Sequence, residues 1–383
     1  MAIAKRTHSD GKSCSWQVLI DTRDAVSGKR KRVTIGTYRT KKEAERAERD
    51  AITARERGTL LDPSQTTVAE LLDSWLASKA GEISPNSIAD YELVVRKHLK
   101  PALGSIRVQA LKPDRLQAQY ATWRDAGMSA RMIRGCHMRL SQALGQAVRF
   151  SLAPANVCDA VRPPKLSVTK TDVWNAREAA RFLEAAESDW LWPLWPLLLL
   201  EGLRRGEALG LRWRDVNFAN ATATVVQTVA PDKAKRGAAI VQERTKTAAG
   251  ARTLRLTPET LTALRELRTR WIERRLASSA WQDPFDLIVC TSNGGPINPA
   301  NVTRSFTAIV KRAGLRRIRV YDLRHTNASL LLESGVSAQM VSQRLGHAGI
   351  GVTINFYGHV TPRMEDEAAG AFTGILARGN VGW

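Results

Sequence analysis

Two proline-bearing breaks constrain this chain more than any other feature. Asp62-Pro63-Ser64-Gln65 and Val161-Arg162-Pro163-Pro164-Lys165 each interrupt periodic sequence. Proline locks φ, lacks an N–H and holds the preceding residue in extended backbone, so neither a helix nor a central strand runs through such a stretch. The 383 residues therefore divide into units that we place at 1–62, 66–162 and 171–383. The last is long enough for a sizeable core; the first is near the lower limit.

Residues 1–62 read as a small β-rich unit, a two- or three-stranded sheet packed on one helix. Ser15 to Thr22 alternates imperfectly around Trp16, Val18 and Ile20, and Val33 to Tyr38 supplies a second strand. Between them Ala25-Val26-Ser27-Gly28 reads as a turn, leading into Lys29-Arg30-Lys31-Arg32. A basic hairpin of this kind suits a nucleic-acid groove or a solvated turn, and the pattern leaves both open. Thr40 with Glu43 forms a capping box for a helix that runs to about Arg57 and stops at Gly58.

Residues 66–162 carry four helical stretches and read as all-α. Thr67 and Glu70 cap the first, with Val68, Leu71, Leu72, Trp75 and Leu76. Ser84-Pro85 opens the second, with Ile88, Tyr91, Val94, Val95 and Leu99 at helical spacing. Pro113 opens the third, through Leu116 and Tyr120 to Trp123. The fourth spans Ser129 to about Phe150, with Met132, Ile133, Cys136, Leu140, Leu144 and Val148 assigned to one face.

Residues 171–383 read as α+β and mainly helical, with a small antiparallel sheet. Asn175 with Glu178 caps one helix, and Trp190 to Glu201 reads as a buried one. Thr222–Val229, Ala239–Glu243 and Arg252–Leu256 are strand-like, Pro258 to about Ser279 is helical, and Asp286 to Cys290 is a short apolar strand. Helices dominate from Asn298 onward. This order excludes regular βαβ alternation.

Charge and cysteines narrow the class. Lys and Arg number 58 against 37 Asp and Glu, a net +21. Residues 1–62, 63–170 and 171–383 carry +6, +7 and +8, so no single basic tail accounts for the excess. A polyanionic partner, DNA or RNA, explains this best; a GC-rich codon bias, with 42 Arg against 16 Lys, is the rival. Cys14, Cys136, Cys158 and Cys290 lie far apart with no CxxC pair, which disfavours a disulfide framework or Cys-rich zinc site and fits a reducing cytoplasm. The apolar run at Trp190 to Leu200 is too short for a bilayer, and no secretory signal pattern opens the chain.

Four stretches of the last unit stand out together: Glu201-Gly202-Leu203-Arg204-Arg205-Gly206-Glu207, Arg244-Thr245-Lys246-Thr247 between two strands, Tyr321-Asp322-Leu323-Arg324-His325-Thr326, and Leu345-Gly346-His347 with Tyr357 ten residues on. In this order, over about 155 residues, they resemble the tyrosine recombinase, or phage integrase, family. The middle unit resembles that family's core-binding domain, and the first unit more loosely its arm-type DNA-binding domain.

The resemblance implies a site-specific recombinase, an integrase of a temperate phage or integrative element. Tyr357 is then the nucleophile that forms a 3′-phosphotyrosyl bond, and Lys246 the general acid on the leaving 5′-oxygen; Lys233 and Lys235 fit the spacing less well. Arg204 and Arg324 stabilise the non-bridging oxygens, a task for permanently charged, forked guanidiniums, and His347 adds a hydrogen bond. Glu207 holds the motif together, sharing a helix face with Arg204. One position departs from the pattern: Tyr321 stands where the family has His, able to hydrogen-bond but a poorer base at neutral pH. His325 is expected to point elsewhere. No metal or other cofactor is implied. The implied partners are double-stranded DNA at core and arm-type att sites, a homo-tetramer, a DNA-bending host factor and an excisionase, in the cytoplasm and nucleoid of a bacterial host, with no membrane. A type IB topoisomerase-like enzyme and a DNA-binding regulator with a decayed site are the alternatives.

Overall fold

The computed structural model describes residues 2–7, 14–23, 30–56, 61, 64–166, 172–232, 235, 237–242, 252–282, 284–347, 349 and 351. Contacts divide the chain into two compact units, residues 1–168 and 169–383. Each is described by itself.

The first unit begins with an antiparallel sheet of β1 (Ala2–Thr7), β2 (Cys14–Arg23) and β3 (Arg30–Tyr38), in that order. β2 is the centre, with Ala2 opposite Leu19 on one side and Trp16 opposite Tyr38 on the other. A register shift between Val18 and Leu19 explains the imperfect alternation in the sequence, since a bulge changes which residues face inward. α1 (Lys41–Glu56) packs on all three strands, burying Ala44 and Ala51 beside Val18. Its Thr40–Glu43 capping box is formed, with main-chain contacts of 3.2 and 3.3 Å.

A separate helical core follows. α2 (Val68–Lys79) starts at the Thr67–Glu70 capping box. α3 (Pro85–Val94) is capped by Ser84 and continues through a π-type turn, Val95–Leu99, into α4 (Lys100–Leu103). Pro101 has no N–H to give the preceding turn, and the wider π turn absorbs the missing bond. α5 (Pro113–Asp125) and α6 (Ala130–Arg149) complete the bundle. Leu72, Trp75, Leu99, Leu116, Tyr120, Ile133, Leu140 and Leu144 form its centre, and Trp75 stacks on Tyr91 at 5.6 Å. Met132 corrects the sequence reading of α6: it is exposed, one step of about 100° away from the Ile133–Cys136–Leu140–Leu144 stripe. The connector after the bundle starts inside it. Val161 is buried, and the Gln117 amide bonds both the N–H and the carbonyl of Arg162, at 3.1 and 3.4 Å.

The second unit opens with α7 (Ala176–Ala186), capped by Asn175 and Glu178. α8 is only Leu194–Leu199, shorter than the Trp190–Glu201 span read from apolarity. Pro193 and Pro196 limit it, and Trp190 is exposed. α9 (Arg205–Leu209) follows. β4 (Val216–Asn217), β5 (Thr222–Val225) and β8 (Arg252–Arg255) form one antiparallel sheet, while β6 (Thr228–Pro231) and β7 (Ala239–Gln242) form a separate hairpin. The single strand expected at Thr222–Val229 is therefore broken before Thr228. Gln227 at the break is buried, its amide bonded to the Gly210 carbonyl at 2.9 Å. Asp286–Cys290 is not a strand; it makes isolated bridges, Arg212 to Leu287 and Cys290 to Pro296. α10 (Pro258–Ala277), α11 (Pro299–Arg312) and α12 (Asp322–Glu333) enclose the core, where Trp174, Phe182, Trp195 and Phe306 cluster at 5.1–6.0 Å, and α13 (Ala338–Leu345) packs on α12 in a smaller cluster of Ala328, Leu332, Val341 and Leu345.

Candidate active site

The site is built around two chain reversals that only glycine accommodates cheaply. Gly202 takes φ +63°, and a Cβ there would lie 2.4 Å from Leu345 Cδ2 and 2.8 Å from Asn327 Oδ1. Gly346 takes φ +64° and ends α13: its N–H bonds Gln343 O at 3.0 Å, and the next N–H, of His347, bonds Ser342 O at 3.1 Å. Leu-Gly-His is thus a helix stop that turns the chain and delivers His347 immediately beyond it.

That stop leaves the last carbonyls of α13 in need of donors, and three different arginines supply them. Arg252 Nε bonds Arg344 O at 2.8 Å, Arg324 Nη2 bonds Leu345 O at 2.5 Å, and Arg204 Nη2 bonds Gly346 O at 3.0 Å. The negative end of the helix dipole favours this clustering of cations. Arg324 is 2% exposed and also bonds Gly202 O at 2.7 Å, while its Nε has no hydrogen-bond partner among the described residues. Burial, then the neighbouring Arg204, lowers its pKa, yet it stays a cation at neutral pH.

Arg204 precedes α9 as its N-cap, in extended backbone, so it does not share a helix face with Glu207 as the spacing suggested. The two are joined all the same. Glu207 Oε1 accepts from Arg204 Nη1 at 2.7 Å, and Oε2 accepts from the Arg204 main-chain N–H at 2.9 Å. Burial raises the Glu207 pKa, but its bonds to Arg252 and then Arg204 outweigh that and hold it below the usual range. The Arg204 side chain remains 36% exposed. His347 is pushed down to about 4, first by burial and then by Arg324 and Arg204, so its imidazole is neutral at neutral pH.

Tyr321 is 48% exposed at the mouth of α12 and meets His325 edge-on at 5.1 Å. With Arg204, Arg205, Arg317 and Arg319 it lines a cavity of about 430 Å³. His325 is buried, and it adds to the lowering of the His347 pKa after burial, Arg324 and Arg204. Lys246, Tyr357, Lys233 and Lys29 lie outside the described residues, as do the side chains of Arg30 and Lys31. Arg32 is exposed and paired with Asp21 at 3.0 Å, and Lys235 sits in the β6–β7 turn. Among the described residues no group of carboxylate, histidine or cysteine side chains is placed to hold a metal, and no helix is long and apolar enough to cross a membrane.

Arg252 is the residue the sequence reading missed. Its signal was available: on β8 it shares the inward phase with buried Leu254, and a charge at an inward position needs a buried partner.

Three family models match successive parts of the chain: an arm DNA-binding domain at residues 4–54, the N-terminal SAM-like domain of phage integrases at 67–123, and the phage integrase family itself at 175–364. The chain belongs to the phage integrase family, the tyrosine recombinases. It is 26% identical to an integrase of Streptomyces ambofaciens, covering 97% of this chain and 96% of that one. It is 27% identical to a XerC-like tyrosine recombinase of Caldanaerobacter subterraneus, over 86% and 88% of the two chains. In fold it is similar to the Tn1549 transposon integrase solved with circular intermediate DNA (TM-score 0.69, 18% identity, 80% of this chain and 100% of that one). It is also similar to a lambda integrase tetramer bound to a Holliday junction (TM-score 0.57, 19% identity, 94% and 96%). The architecture is that of a three-domain integrase, and the protein is a site-specific tyrosine recombinase acting on DNA.

Proposed function

We propose that the chain cuts and rejoins att-site DNA through Tyr357, integrating and excising a phage or mobile-element genome. Units 1–62, 66–162 and 171–383 would grip arm-type sites, grip core sites and perform the chemistry. The observation that supports this most is the convergence of Arg204, Arg324 and His347 on one end of α13.

In this reading the Tyr357 oxygen attacks phosphorus, its proton passing to solvent or a nearby base. The bond to the 5′-oxygen breaks, and that oxygen takes a proton from Lys246, leaving a 3′-phosphotyrosyl ester and a free 5′-hydroxyl. A second strand's 5′-hydroxyl reverses the steps, so bond energy is kept without ATP. Arg204 and Arg324 meet the extra charge on the non-bridging oxygens, and His347 donates an N–H to them. Tyr321, beside Arg204 at the cavity mouth, hydrogen-bonds the phosphate where the family pattern has His. The tetramer seen for lambda integrase on a Holliday junction suggests the same assembly here. A DNA-bending host factor and an excisionase would set direction in the bacterial nucleoid.

The test uses a nicked duplex carrying the att core, which traps the covalent state. Wild type is expected to give a slow-migrating protein–DNA band and Tyr357→Phe none. A band persisting in the variant overturns the nucleophile assignment. Relaxation of one duplex without exchange between two would favour the topoisomerase reading, and specific binding with no band the decayed-regulator reading.

A further inference from the structure

We propose that Arg252 is a positioning residue of this recombinase, holding Arg204 available to phosphate through Glu207 and fixing the end of α13 from which His347 leaves. This rests on the reading above that Arg204 and His347 meet the scissile phosphate.

The Glu207 carboxylate is 2% exposed and is shared evenly. Oε1 accepts from Arg204 Nη1 at 2.7 Å and Arg252 Nη1 at 3.3 Å; Oε2 accepts from the Arg204 main chain at 2.9 Å and Arg252 Nη2 at 3.0 Å. Two guanidiniums therefore flank one carboxylate, leaving the trio with a net positive charge. Without Arg252, Glu207 would neutralise Arg204 alone, and the phosphate would face a closed ion pair.

Arg252 is not among the residues that line the cavity beside Arg204 and Tyr321. Its side chain is 9% exposed, both terminal nitrogens bond Glu207, and its Nε reaches Arg344 O at 2.8 Å. That last bond adds it to Arg324 and Arg204 on three successive carbonyls, Arg344, Leu345 and Gly346. Only a planar fork spans the carboxylate and the carbonyl together; a lysine ammonium is a point donor and reaches one at a time. Arg252 thus ties the N-cap of α9, strand β8 and the stop of α13 into one frame.

The experiment is a double-mutant cycle on the full chain. Single-turnover cleavage of the nicked duplex is measured at saturating protein, with duplex affinity and unfolding midpoint alongside. Arg252→Gln is expected to slow cleavage about 10- to 100-fold, as for a misplaced reactive group, while affinity changes less than about threefold. Arg252→Lys is expected to fall between, and carries the cycle if the glutamine variant does not fold. In an Arg204→Ala background the same change should cost less than about twofold more. Full additivity, wild-type rates or affinity falling in step with cleavage overturns the proposal. The cycle is also read on unfolding midpoints, which need no cleavage: coupled shifts support the frame and additive ones sink it. A wild type that never forms the covalent band counts against the recombinase reading, not against this one.

Discussion

Arg324 is the residue whose surroundings say most about its task. A guanidinium at 2% exposure with two carbonyl partners and an Nε–H that has no partner among the described residues is costly to bury unless a further acceptor arrives. A phosphate oxygen is such an acceptor, and Arg324→Ala is expected to slow cleavage by roughly 10²- to 10³-fold, the usual loss for a donor to developing charge. His347 gives a pH prediction. Its folded pKa of about 4 lies below the unfolded value of 6.5. Between those values the unfolded chain binds the proton that the native chain refuses, so stability is full above about pH 6.5 and falls as pH drops toward 4. Urea midpoints measured across that window should decline for wild type and flatten for His347→Gln. A His347→Gln curve as steep as wild type would show that other groups, His325 foremost, carry the dependence.

Among the elements, α9 and the β6–β7 hairpin depend on each other at two glycines. A Cβ on Gly206 would meet Val229 O at 2.8 Å, and one on Gly210 would meet Gln227 O at 2.9 Å. Backbone cannot retreat as a flexible side chain can, so β6 must move off the helix that Arg204 caps. Gly206→Ala is expected to cost about 1–3 kcal/mol, as for other overpacked sites, and to speed hydrogen exchange in β6 and β7 more than in α10. Equal exchange in both would mean the hairpin does not rest on α9. The same contact explains why one predicted strand became two: β5 stays in the sheet with β8, whereas β6 leaves to lie on the glycine face.

For the whole molecule, the +21 charge is spread over every unit, so binding should depend on salt through many phosphate contacts at once. Removing residues 1–62 is expected to abolish tight arm-site binding, leave core cleavage near wild type and make the plot of log affinity against log salt shallower. Loss of core cleavage with the deletion would contradict the division of labour proposed here.

The sequence alone determined the elements whose signals are local. Capping boxes at Thr40, Thr67 and Asn175, and proline starts at Pro85, Pro113 and Pro258, each depend on residues within a turn of one another, and all formed. The motifs containing Arg204, Arg324 and His347 were legible for the same reason, as short strings tied to one family's chemistry. Tertiary structure decided what local signals could not carry. It broke the 222–229 strand, reduced Asp286–Cys290 to two bridges, turned Arg204 into an N-cap and buried His325 beside Tyr321. Above all it brought Arg252 to Glu207, 45 positions away, and to the end of α13, 92 positions away. A charge enters such a place only when a partner from elsewhere in the chain is already there to meet it, and that meeting is a property of the fold.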